Sequence, residues 1–83
     1  MKAVFHPEAE QEFIEASLFY DSQKKLLVEK PEIGARIDEI FRRMLLNRFP
    51  YVLIYSLEPE RIWIVAVAHQ RRRPGYWRRR IER

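Results

Sequence analysis

The sequence predicts an α+β domain: an N-terminal strand, a helix with a truncated or fused second helical piece, then a three-stranded antiparallel meander. Three observations predict it. Ala9, Phe13, Ala16 and Tyr20 recur at steps of four, three and four, the apolar stripe of an amphipathic helix. Residues 40–68 hold three runs rich in β-branched and aromatic side chains, which suit pleated strands. Short turn-like segments separate these runs, so sequential hairpins make them antiparallel.

In chain order, Lys2-Ala-Val-Phe5 reads as a short strand. Pro7 suits the first position of a helix, where its missing N–H costs nothing. Glu8, Glu10 and Glu12 load the first turns with negative charge, favourable at the helix N-terminus. The stripe carries this helix from Pro7 to at least Tyr20, and Ile14 and Leu18 widen its apolar surface. Lys24 to Lys30 has helical composition, ended by Pro31, and Glu32-Ile-Gly34 reads as a loop. Met44-Leu-Leu46, preceded by Ile40 to Arg43, reads as a strand. Asn47-Arg-Phe-Pro50 is a turn and Tyr51 to Leu57 a strand. Glu58-Pro-Glu60 closes a hairpin, and Arg61 to Ala68 is the last strand. The last strand lacks clean alternation, which predicts a central place in the sheet, covered on both faces.

Eighty-three residues make one small domain, spanning 1–83. Five phenylalanines, four tyrosines and two tryptophans, within a 47% hydrophobic content, argue for a real core. The absence of cysteine excludes disulfides and thiolate zinc sites and suits a reducing, cytoplasmic setting. No run approaches the roughly 20 apolar residues that cross a bilayer, and Met1 to Pro7 lacks the apolar stretch of a secretory signal. With only Gly34 and Gly75 there is no phosphate-cradling glycine loop. No metal-ligand spacing and no nucleophile–histidine pairing occur, so no metal and no cofactor are expected.

The net charge of +4 hides a division. Residues 1–41 hold five Lys/Arg and nine Asp/Glu, whereas residues 42–83 hold eleven arginines and three glutamates. Residues 69–83, an arginine-rich arm, carry seven of those arginines. A block this dense is expected in water or against something anionic, since unpaired buried charge is costly. Arginine grips phosphates and carboxylates with a planar fork of donors. A nucleic acid, a nucleic-acid enzyme or an acidic peptide would be a fitting partner.

Four segments resemble one family. Phe5-His-Pro-Glu-Ala-Glu10, the Phe19-Tyr20 pair, Arg48-Phe-Pro-Tyr51 leading into Leu53-Ile-Tyr55, and Ala66-Val-Ala-His-Gln-Arg-Arg-Arg-Pro-Gly-Tyr-Trp77 look like the RelE/ParE superfamily, and the ParE branch above all. The likeness spans residues 2–22 and about 31–80; the last two segments are its specific part. It implies a toxin of a type II toxin–antitoxin module, of the kind that stabilises plasmids. The implied fold is a strand, a helical hairpin and an antiparallel sheet with a basic tail.

The chain departs from that pattern between its helices. Asp21-Ser22-Gln23 runs straight into Lys24 to Pro31, so roughly four turns of the second helix, at 3.6 residues each, are missing. A continuous helix over 7–29 would run ~35 Å and carry the later strands away from the first. Exchange of strands between two chains would restore the pairing, which predicts a homodimer, intertwined or packed through the uncovered face.

ParE-like toxins are described as DNA gyrase inhibitors that act by binding. That resemblance implies target contacts from Arg71, Arg72, Arg73, Tyr76, Trp77, Arg78, Arg79 and Arg80. It also implies an acidic antitoxin that folds on the toxin, in a groove lined by Phe13, Tyr20, Tyr55 and Trp63. The RelE branch offers an alternative, a metal-independent endonuclease that cuts mRNA on the ribosome. Its weak catalytic candidates here are His69, Arg71 and Tyr76. The start of the Leu53-Ile-Tyr55 strand carries Val52 where such nucleases place an arginine, and their lysines have no counterpart. An arginine is a poor general base, so a binding inhibitor is expected rather than an enzyme. The shortened helical region raises a third possibility, a degenerate, non-toxic dimeric member.

Overall fold

The computed structural model describes residues 2–16 and 23–81. Strand β1 is Lys2–Phe5, followed by helices α1 (Pro7–Glu15) and α2 (Gln23–Glu29). Four further strands follow: β2 (Ala35–Arg36), β3 (Phe41–Leu45), β4 (Tyr51–Leu57) and β5 (Arg61–His69). A 3-10 helix over Tyr76–Arg80 closes the described chain. The class is α+β. The sheet has one strand more than the N-terminal strand and three-stranded meander expected: five, in the order β1-β5-β4-β3-β2, and is mixed. β1 runs parallel to β5; the other neighbours are antiparallel. β2 escapes sequence reading because two residues carry no periodicity.

Helix α1 begins where its chemistry allows. The His6 ring accepts the Glu8 N–H at 3.1 Å, capping the first turn, and Pro7 opens the helix. Ala9 and Ala16 are buried, as their stripe requires. The helix ends at Glu15, with Ala16 as its cap; the expected continuation to Tyr20 and the Leu18 position lie outside the described residues. Ile14, expected to widen the apolar surface, is exposed. Helix α2 buries Leu27 completely.

The two helices are separate, and β1 pairs with β5 of its own chain, Lys2 opposite Arg61 to Phe5 opposite Ile64. Helix α1 is capped at Ala16, and the path expected for residues 17–22 lies outside the described residues. Within one chain the sheet is complete, with β1 in place beside β5.

The sheet has a core on each face. On one, Ala9, Ala16 and Leu27 of the helices pack on Met44, Leu53, Tyr55, Ile62, Ile64 and Val67. On the other, Phe41, Val52, Ile54, Val65, Ala66 and Ala68 pack with Trp77. β5 is buried on both sides, and its irregular pattern has a second cause. Ile54 faces Ala66 while Tyr55 faces Ile64, so Val65 is an extra residue. This bulge puts Val65 and Ala66 in the same core cluster and breaks the alternation.

Tyr55 fastens the loop before β2. Its hydroxyl donates to the Pro31 carbonyl at 2.6 Å and accepts the Gly34 N–H at 2.9 Å. A Cβ on Gly34 would stand 2.6 Å from that hydroxyl, so only glycine fits.

The C-terminal arm folds back on the sheet while Arg71, Arg72, Arg73, Arg78 and Arg79 stay exposed. Gly75, at φ 75°, turns the chain back, and Trp77 lands on the second face, edge-on to Phe41 with centroids 4.7 Å apart. No helix among the described residues is long and apolar enough to cross a membrane.

Candidate anion-binding cleft

Folding the arm back creates a cleft of about 440 Å³ at the end of the sheet where β5 finishes. Val52, Ile54 and Ala68 form its apolar floor. Arg43, Arg72, Arg73 and Arg78 stand around it, with His69 on the wall. Arg43 reaches this face because β3 alternates: it shares a side with Phe41 and sits opposite Ile54.

The eight residues of the arm expected to touch a target divide sharply. Arg71, Arg72, Arg73, Arg78 and Arg79 are exposed. Trp77 is only 3% exposed and belongs to the core. Tyr76 is half-buried, with its hydroxyl donating to Glu12 at 2.6 Å. Arg80 is turned inward, its side chain 4% exposed, between Glu12 and Glu8. These last three hold the cleft in shape and are not on its rim.

Glu12 is the centre of that support. β1 covers only the first four residues of β5, so beyond Ile64 the strand edge is open. Side chains fill the gap. The Glu12 carboxylate accepts the Val67 N–H at 3.0 Å, and the Arg80 guanidinium donates to the Val65 carbonyl at 2.9 Å. The two side chains then join each other at 2.8 and 2.9 Å. Arg72 lies 4.0 Å from Glu12 and over the Tyr76 ring at 4.1 Å. Burial pushes the Glu12 carboxyl up, but the bonds from Arg80, Tyr76 and Val67 outweigh it and hold the group below its ordinary value. Burial and the adjacent carboxylate push the Tyr76 phenol well above its ordinary value. The bond to Glu12 raises Arg80 further, against the opposing effect of burial.

A second pin crosses the mouth of the cleft. Asp38 accepts the Ile40 and Phe41 N–H groups, both at 2.8 Å, and pairs with Arg78 at 3.0 Å. The Phe41 and Ile40 bonds, with Arg78, hold the Asp38 carboxyl below its ordinary value. Arg78 also lies 4.7 Å over the Trp77 ring. Arg71, Arg73 and Arg79 have no ion-pair partner among the described residues.

The weak catalytic candidates do not assemble into a base and its orienter. His69 Nδ1 accepts the Arg71 N–H at 3.0 Å, which leaves the ring proton on Nε2 when the ring is neutral. The ring packs edge-on against Tyr51. The Tyr76 hydroxyl is committed to Glu12. Among the described residues no three or more His, Cys, Asp or Glu converge to hold a metal ion.

The groove expected to take an antitoxin is not one surface. Phe13 packs edge-on to Phe5 on the helix-covered face, and Tyr55 is buried in the same cluster. Trp63 lies on the opposite face, under the Arg61 guanidinium, because it alternates with Ile62 and Ile64. Tyr20 lies outside the described residues.

Sequence reasoning missed Glu12, Asp38 and Arg43. Glu12 had a signal: it stands three residues after Ala9 and four before Ala16, so a carboxylate interrupts the apolar stripe and calls for a buried cation. Arg43 follows Phe41 by two within a strand, which places it over the same core.

No protein-family model, curated protein or solved structure matches the chain. The likeness to the RelE/ParE superfamily rests on its sequence motifs alone.

Proposed function

We propose that this chain is the toxin of a type II toxin–antitoxin module, acting ParE-like by binding an anionic face of an intracellular target, DNA gyrase by the motif likeness. An acidic antitoxin covering the arginine end would neutralise it. One observation carries the reading: Arg43, Arg72, Arg73 and Arg78 surround an apolar-floored cleft at one end of the sheet, and Arg71 and Arg79 of the same arm are exposed. Asp38 pairs with Arg78 and Glu12 approaches Arg72, while Arg73 of the cleft and Arg71 and Arg79 of the arm have no ion-pair partner among the described residues. Paired guanidinium donors over an apolar floor suit carboxylates or phosphates carried on a larger body. No bond-making is required of the site.

A second reading is favoured by His69, which shares the cleft with Arg72 and Arg73. A phosphodiester held by those arginines would lie beside an imidazole, as metal-free mRNA cleavage requires. Expression of the chain alone separates the readings. The binding toxin arrests growth and leaves gyrase-linked DNA breaks. The nuclease stops translation and leaves cut mRNA. Unaffected growth would mean a degenerate member and would sink both.

A further inference from the structure

We infer that Phe49 is the apolar anchor of the docking surface, inserted into a pocket of an acidic protein partner while Arg48, Arg71 and Arg73 contact the carboxylates around it. The inference rests on the reading of the arginine end as a docking face, and it names the partner class. Phe49 is 80% exposed, and Leu45 of the same hairpin is 56% exposed. The ring adds nothing to the core, yet the turn that carries it is fixed. The Leu46 N–H donates to the Tyr51 carbonyl at 2.9 Å, and the Tyr51 N–H to the Arg48 carbonyl at 3.0 Å. The Gln70 N–H donates to the Pro50 carbonyl at 2.9 Å, which ties the tip to the start of the arm and brings Arg48-Phe49 beside Gln70-Arg71.

The chain segments at this end carry charge of one sign. No acid occurs between Arg43 and Leu57, nor between Arg61 and Ile81. A second copy of this chain is a poor occupant, since its own arginine end would be repelled. Acidic protein fits better than single-stranded nucleic acid. Nucleic-acid platforms stack successive bases on several open rings. Here Tyr51 is set edge-on to His69, Tyr76 lies under Arg72 and Trp77 is buried, so among the described aromatics at this end of the sheet Phe49 is the open ring. An exposed ring with Arg48 as its chain neighbour and Arg71 one residue beyond the bond that ties its turn to the arm combines an aromatic with arginine, as protein–protein hot spots do.

Fluorescence anisotropy with three labelled probes tests this on the full chain. The probes are an oligo-glutamate peptide, the same peptide with two central leucines, and a single-stranded oligodeoxynucleotide. The leucine peptide is expected to bind about tenfold more tightly than plain oligo-glutamate, as one hot-spot side chain allows. Phe49→Ala is expected to erase that difference with no change in melting temperature. Combined Arg71→Ala and Arg73→Ala should weaken both peptides. A Phe49→Ala chain that still prefers the leucine peptide overturns the anchor, and so does a wild-type chain indifferent to the leucines. Preference for the oligonucleotide, lost in Phe49→Ala, overturns the protein partner but leaves the docking face intact. Failure of every probe to bind the wild type removes the docking face itself, and the anchor with it.

Discussion

Replacing Glu12 by alanine should cost this domain a large share of its stability. The carboxylate accepts from Val67 N–H, Tyr76 hydroxyl and both terminal nitrogens of Arg80. Its loss leaves a guanidinium whose side chain is 4% exposed without its main counter-charge. Breaking one side of a buried ion pair typically costs about 3–5 kcal/mol. Arg80 keeps the Val65 carbonyl and Glu8, which argues for the lower part of that range. The abandoned Val67 N–H and Tyr76 hydroxyl push the other way, at about 1–3 kcal/mol for each buried group left unsatisfied. A loss of about 4 kcal/mol is thus expected. A domain of this size has about 4–12 kcal/mol in total, at roughly 0.05–0.15 kcal/mol per residue. Glu8→Ala is the internal control. Glu8 touches the same arginine but is 52% exposed, and an exposed pair contributes up to about 1 kcal/mol. Urea unfolding followed by circular dichroism reads both variants. If Glu12→Ala lies within about 1 kcal/mol of wild type, or Glu8→Ala costs as much, the edge-filling role assigned to Glu12 is wrong.

Other perturbations follow from the same geometry. Because Glu12 titrates below its ordinary value of 4.5, its contribution is fully present above that pH and is lost as pH falls through the lower folded value; stability against pH should be flat above about 5 and fall below it, and the Glu12→Gln chain should lose much of that acid-side slope. Trp77→Ala removes a core side chain and should cost about 3–5 kcal/mol by the same urea assay, whereas an exposed target anchor would cost almost nothing. Gly34→Ala drives a Cβ against the Tyr55 ring and hydroxyl and the Arg43 carbonyl and should lower the melting temperature, while a Gly34→Ala chain that melts like wild type would show that this loop has room to yield.

What the sequence revealed follows from where periodicity was strong. β4 and most of β5 were legible because long β-branched runs have few other uses. Helix α1 was legible from its proline, its acidic first turn and its stripe. The bulge at Val65 was not, since an irregular apolar strand looks the same whether it is bulged or simply buried on both faces. The path of the arm was misread for an electrostatic reason. Seven arginines imply solvent, and the reading weighed the block as a whole. The structure sorts it residue by residue: Arg80 goes inward because Glu12 waits on an otherwise apolar helix face, and Trp77 goes inward because the second sheet face needs cover. The cleft depends on that fold-back and on Arg43 from a distant strand, so spacing along the chain could not display it. Phe49 was read as part of a turn and of a family-like motif but not as an exposed anchor, since exposure is a property of the folded surface.

The most direct measurement compares growth of cells expressing the wild-type chain with cells expressing a combined Arg71→Ala, Arg73→Ala and Arg79→Ala variant, both without antitoxin. None of these three side chains has an ion-pair partner among the described residues, so the variant should fold and melt like wild type. Arrest by the wild type and normal growth with the equally stable variant is the expected result. Equal arrest by both chains, or arrest by neither, would contradict docking through the arginine end.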